Sequence, residues 1–336
     1  MSETVGWSYT TINTFRQCQR RFYFSSVLAT HGRKNVLRRK AYELKRMQNL
    51  KMWAGSVVDK FMEVVIIPAV VQKKNLFFDC LAEDAVKMAE EQFRFSKNGI
   101  YKDAGQKKGD VDTSFCILDI HETNTPFAED ELANCYATIR EAILNLPKVT
   151  MPDGRLLIDF LKDANSLTPN INTWSVQIER ARLKPQMDLL GLQNWKPFII
   201  DWKLSGSYTS NYSRQLVICG ITVYLKRLES TDKKPWNYGD LKLYEVNLLK
   251  NIVKEHEFTE EIVNELINYI NLTSSDIYLL TGKNQSEINI EDFELTEDQG
   301  HCETCNFQTL CSYLLINNNQ YDEKSYLEFV QDKQSA

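Results

Sequence analysis

The stretch Lys184-Pro-Gln-Met-Asp188, followed shortly by Phe198-Ile-Ile-Asp201-Trp-Lys203, decides how this chain is read. Both segments have the composition of β-strands, and a Gln-Asn turn at 193–194 separates them. Side chains alternate along a strand, so Asp201 and Lys203 project from the same side of the second one. Two neighbouring strands therefore present Asp188, Asp201 and Lys203 together. Carboxylates are hard ligands suited to Mg²⁺ or Mn²⁺. With a lysine beside them, they outline a site for metal-assisted hydrolysis of a phosphodiester. Taken alone, an Asp-x-Lys triplet is a weak signal.

The sequence on either side supplies a frame. Residues 173–183 alternate as a strand before the pair, 210–228 read as a helix after it, and 241–249 as a further strand. Upstream, 55–67 read as a buried helix that stops near Pro68. Asp59 and Glu63 share one face of that helix, either as ligands or simply where the helix emerges from the core. The order predicts a mixed α/β sheet with helices packed on it. Residues 81–95 and 129–146 look like amphipathic helices joined by a polar loop near 102–112, and 260–271 adds another helix. The expected organisation is an N-terminal helical part (1–54), a core made from 55–71 and 172–250, a helical insertion (72–171) and a C-terminal part (251–336).

The chain of 336 residues has an ordinary globular balance, 43% hydrophobic and 25% charged. Its longest apolar run, Val64 to Val71, is too short for a bilayer, and the N-terminus lacks the plan of a signal peptide, so a cytoplasmic location and no membrane partner are expected. The net charge of -5 argues against a nucleic-acid partner, but residues 31–53 hold Arg33, Lys34, Arg38, Arg39, Lys40, Lys45, Arg46 and Lys51 against the single acid Glu43. Such a segment, expected as a helix through about Met52, is equally a phosphate-binding row or a solvated helix face. Before it, 8–27 begin with hydroxyl residues able to cap a helix that carries Ile12, Phe15 and Phe22 at helical spacing.

Eight cysteines in a reducing compartment are thiols or metal ligands rather than disulfides. Cys80, Cys116 and Cys135 occur singly and read as packing residues, and the isolated His121 as structural. Cys302-Glu-Thr-Cys305-Asn-Phe-Gln-Thr-Leu-Cys311 is different, because clustered thiols are typical ligands of zinc or of an iron-sulfur cluster. The fourth ligand is either His301, which suits zinc, or a distant cysteine, which suits a cluster.

Asp188, then Asp201-Trp-Lys203 after a short hairpin, then Gln215 on the next helix, resembles the PD-(D/E)XK nuclease superfamily, in particular its RecB-like branch. Gly55-x-x-x-Asp59-x-x-x-Glu63 resembles the first helical motif of that branch, with Asp59 where a histidine usually stands. Glu179 resembles an acid often found on the strand before the hairpin. Cys18, in the context Cys-Gln-Arg-Arg-Phe-Tyr, with Cys302, Cys305 and Cys311 is similar to the one-plus-three pattern of iron-sulfur members such as CRISPR-associated exonucleases and AddB-type subunits. A second departure is Cys219, which occupies the place of the tyrosine that normally follows the motif glutamine.

The resemblance implies a restriction-endonuclease-like fold, a mixed β-sheet core flanked by helices, with a 4Fe-4S cluster joining the chain ends. It implies a metal-dependent deoxyribonuclease, an exonuclease on single strands or ends, with Asp188, Asp201, Lys203 and Gln215 as catalytic residues. The Mg²⁺ or Mn²⁺ ligands would be Asp59, Asp188, Asp201 and the Trp202 carbonyl. Arg20, Arg21, Arg38, Arg39 and Lys40 are the expected DNA contacts; Phe22 and Tyr23 either stack on bases or belong to the core. The expected partners are DNA and a helicase or other DNA-processing protein. The alternative is a non-catalytic DNA-binding iron-sulfur subunit of a DNA-processing complex.

Overall fold

The computed structural model describes residues 4–30, 34–103, 111–204, 213–282 and 287–335. Among them, eight strands form two sheets: β1 (Val5–Trp7), β2 (Ser166–Ile171), β3 (Val176–Ile178), β4 (Ala181–Leu183), β5 (Met187–Gln193), β6 (Lys196–Lys203), β7 (Lys242–Asn247) and β8 (Ile252–His256). The main sheet has the order β2-β5-β6-β7-β8 and the small one β1-β4-β3. In the main sheet β6 and β7 run parallel, and the other neighbours are antiparallel.

The principal helices are α1 (Tyr9–Gln17), α2 (Val36–Arg46), α3 (Leu50–Phe61), α4 (Phe78–Lys97), α5 (Glu129–Asn145), α6 (Ser213–Leu228), α7 (Glu260–Thr281), α8 (Gln308–Ile316) and α9 (Glu323–Ser335). Helix α6 carries the chain from β6 to the parallel β7, a connection that antiparallel hairpins do not need. No helix among the described residues is long and apolar enough to cross a membrane.

Strand β6 is buried from Pro197 to Trp202 because both faces of the sheet are covered. Phe198, Ile200 and Trp202 join one core with α3, α4 and α5, whereas Ile199 joins another with α6 and α7. Gly191 lies directly across from Phe198, and a Cβ there would come within 2.1 Å of the phenyl ring, so only glycine lets the ring lie over that strand. A third core packs α2 against α8 and Tyr326 of α9.

Several expected elements are corrected. The single strand of 173–183 is two short ones, turned at Glu179 (φ 46°); they pair with each other, and the second also pairs with β1 in the small sheet. Residues 72–171 contain the expected helices but also β2, an edge strand on which Pro169 is tolerated because an edge has N–H positions that need no partner. Pro68 does not end its helix. A π-helical turn at Met62–Ile66 precedes it, leaving Pro68 in the first turn of a continuing helix, Ile67–Val71.

The helix expected over 8–27 breaks at Cys18, whose backbone is extended and whose Sγ accepts from Arg21 N at 3.3 Å. The basic helix ends at Arg46 rather than Met52, and Asn49 then caps α3 by accepting from Met52 N at 2.8 Å. The expected first residues of the 210–228 helix, 210–212, and most of the 102–112 loop lie outside the described residues.

Candidate active site

The β5–β6 register pairs Leu189 with Ile200, which brings Asp188 and Asp201 side by side. Asp188 Oδ2 accepts from Trp202 N at 3.0 Å, so the backbone between the key residues fixes one carboxylate. Asp201 Oδ2 forms an ion pair with Lys203 Nζ, and these side chains are only 10% and 16% exposed. Asp59 reaches the group from α3, and Asp59 and Asp188 line one cleft of about 690 Å³. Asp59 is solvent-accessible through this cleft although protein surrounds it on most sides.

Burial, reinforced by neighbouring acids, governs the electrostatics. Burial, with Asp188 and Asp201 adding, raises the Asp59 carboxyl well above the usual range, and Lys203 opposes this. Burial and then Asp201 push Asp188 up to about 7. Asp201 is raised by burial, and Lys203 offsets part of the effect. Three carboxylates held against their own repulsion, with one ammonium among them, form a donor set suited to a hard divalent cation. Among the described residues, no group of three or more His, Cys, Asp and Glu has the arrangement of a formed metal site.

The raised Asp188 carboxyl makes a prediction. The folded protein binds the Asp188 proton up to about pH 7, whereas the unfolded chain releases it near pH 4. The corresponding stability is fully present below about pH 4 and is lost as pH rises through about 7. In chelator, Asp188→Asn is therefore expected to melt on the order of 5 °C above wild type at alkaline pH, the gap closing in acid. Equal melting curves at both pH values would refute the raised Asp188 carboxyl.

The family model of the PD-(D/E)XK nuclease superfamily matches residues 6–312. The chain belongs to this superfamily. No curated protein matches it. The superfamily's fold accounts for the mixed sheet flanked by helices.

In this nuclease-superfamily protein, the remaining expected residues fall in several places. Gln215 is exposed in the first turn of α6, and Cys219, one turn later, is buried with its thiol 3.8 Å from Gln186 O. Burial first, and then Asp201 and Asp188, drives that thiol far above its ordinary range, so a neutral sulfur borders the acids. Glu63 pairs with Lys60 at 3.2 Å on the cleft wall. Glu179, expected on the strand before the hairpin, sits instead at the β3–β4 turn, accepting from Asn271 Nδ2 at 3.0 Å.

Two residues went unforeseen. Glu245 lies across from Asp201 in the β6–β7 ladder, and its Oε2 meets His256 Nε2 at 3.0 Å. The pattern of β7 marked a strand but gave no reason to single out Glu245.

In the expected basic row, Arg39 and Lys40 are ion-paired, whereas Arg20 and Arg38 bond backbone carbonyls. Arg20 is 7% exposed and donates from Nε to Phe293 O at 3.1 Å. Arg39 pairs with Glu323 at 3.1 Å, Lys40 pairs with Glu122 and Glu43, and Arg38 donates to Leu28 O at 3.4 Å. Phe22 and Tyr23 pack against Phe293, which favours the core reading for both.

Cys18, Cys302, Cys305 and Cys311 line one pocket of about 230 Å³, together with Arg21 and His301. Burial raises Cys305, with Arg21 opposing, and pushes Cys311 up to about 11, with Arg20 opposing. Cys116 and Cys135 are buried as expected, but Cys80 is exposed near the start of α4 and is no packing residue. His121 has a structural setting, with Nδ1 3.0 Å from Ser96 Oγ and its ring edge-on to Phe93.

Proposed function

We propose that this protein is a divalent-metal-dependent deoxyribonuclease that acts as an exonuclease on single strands or DNA ends. The observation that carries the reading is the convergence of Asp59 and Asp188 on one cleft, with Asp201 and its ion-paired Lys203 beside Asp188, from a helix remote in sequence and two adjacent strands. Asp59, Asp188, Asp201 and the Trp202 carbonyl are the groups that would hold Mg²⁺ or Mn²⁺. Such a cation activates water and neutralises charge on the phosphate oxygens.

The chain's own residues supply the remainder. Trp202 N–H fixes Asp188, and Asp201 fixes Lys203. Lys203 contributes a positive charge where the transition state becomes more negative, and Gln215 of α6 would assist it.

The four-thiol pocket fits a 4Fe-4S cluster in its donor set, and its place between α1 and the C-terminal segment suits a structural role. Binding there would tie the chain ends together.

Labelled single- and double-stranded DNA, blocked at the 5′ end, the 3′ end or both, tests activity and mode together. Mg²⁺- or Mn²⁺-dependent shortening of single strands from an open end is expected. Absence of cleavage with every substrate would favour the non-catalytic DNA-binding alternative.

A further inference from the structure

The hairpin between β5 and β6 turns at Asn194 and Trp195, both in the left-handed region with φ 51° and 64°. Two-residue turns of this kind favour Asn-Gly, because a side chain on the second residue is strained there. Here the second residue is tryptophan, and it is 71% exposed.

Its backbone is held from both sides. Trp195 N donates to Asn165 Oδ1 at 3.0 Å, and Trp236 Nε1 donates to Trp195 O at 3.3 Å. Arg227 stacks on Trp236 at 4.2 Å and donates to Lys234 O at 2.7 Å, fixing the loop that carries the exposed Lys233 and Lys234. A strained turn built to keep a large ring in solvent beside lysines is a design for contact.

An edge strand leads from this tip to the catalytic cleft. Strand β2 begins at Ser166, paired with Leu192 next to the turn, and ends at Ile171; Asn170 and Asn172 line the cleft with Asp59 and Asp188. Residues 165–172 hold no charged side chain, and Asn165, Ser166, Thr168 and Asn172 are exposed. The six residues of β2 cover about 20 Å.

We propose that Trp195 is a second anchor for single-stranded DNA: a strand leaving the catalytic cleft follows the polar edge of β2 and stacks a base on the indole, while Lys233 and Lys234 attract its phosphates. A flat indole in solvent accepts any unpaired base, and nearby cations suit a phosphate backbone. The identity of the strand as DNA rests on the nuclease reading above.

The test is binding of oligo-dT to the full chain in chelator, where cleavage plays no part, read by intrinsic tryptophan fluorescence and by anisotropy of labelled DNA. Affinity for an oligomer of about 15 nucleotides is expected to fall about tenfold or more in Trp195→Ala, and far less in Trp195→Phe. An oligomer of about 4 nucleotides, too short for both sites, loses much less. Trp195→Gly relieves the turn, so it should melt above wild type yet bind as poorly as Trp195→Ala, which separates stacking from stability.

Wild-type affinity for the longer oligomer in Trp195→Ala, equal losses for both lengths, or no binding by wild type would each overturn the proposal. Wild type that binds with this length dependence but never cleaves when Mg²⁺ or Mn²⁺ is restored supports the anchor and refutes the nuclease reading instead.

Discussion

Lys203→Ala is expected to lower the rate of DNA cleavage by about 10²–10³-fold, with oligonucleotide affinity in chelator little changed. Lys203 is largely buried and ion-paired with Asp201. A charge placed in such a setting is weakly screened, so it stabilises developing negative charge more than an exposed lysine does. Removing it also leaves Asp201 without its counter-charge, and in chelator the variant should lose stability. Melting curves with and without Mg²⁺ therefore belong with the kinetics. If the variant cleaves at the wild-type rate, Lys203 has no catalytic part.

The second large effect concerns the thiols. Cys305→Ser is expected to abolish bound iron and the accompanying brown absorbance, and to lower stability by several kcal/mol, because ligation energy is folding energy. The pocket gathers Cys18 from the start of the chain and three cysteines from beyond residue 300, so on the proposed cluster reading the loss of one ligand would release both ends. Cys18→Ser should behave alike, and Cys80→Ser, at an exposed position, should not. Wild-type protein without iron, together with unchanged melting in Cys305→Ser, would refute the cluster. One equivalent of zinc that survives Cys18→Ser but is lost on replacing His301 would establish the zinc alternative.

These two sites differ in how legible they were. Asp188, Asp201 and Lys203 were readable because period-two alternation and a two-residue turn are local signals, and the β5–β6 pairing follows from them. Their convergence with Asp59 was legible only through the family resemblance, since nothing in α3 alone distinguishes a ligand from an acid at the core's edge.

The split of 173–183 escaped because its turn uses Glu179 at positive φ, where the usual signal is glycine or asparagine. Strand β8 is short and mostly solvent-facing, so its pattern is faint, and without it the Glu245–His256 pair had no visible partner. The partners of Arg39 and Lys40 in the basic run were illegible for a related reason. These counter-charges, Glu122 and Glu323, come from segments remote in sequence, and tertiary pairing of this kind leaves no mark on local composition.

In the nuclease reading proposed above, Asp59, Asp188 and Asp201 hold a cation that drives phosphodiester cleavage. The most direct test of that reading is the rate of cleavage of end-labelled single-stranded DNA as Mg²⁺ or Mn²⁺ is titrated into metal-free protein, with Asp201→Asn measured alongside. The predicted result is saturable, chelator-reversible cleavage by wild type and a loss of about 10³-fold or more in the variant, with folding intact by circular dichroism. Wild-type protein that stays inactive at every metal concentration, or a variant that cleaves as fast as wild type, would contradict it.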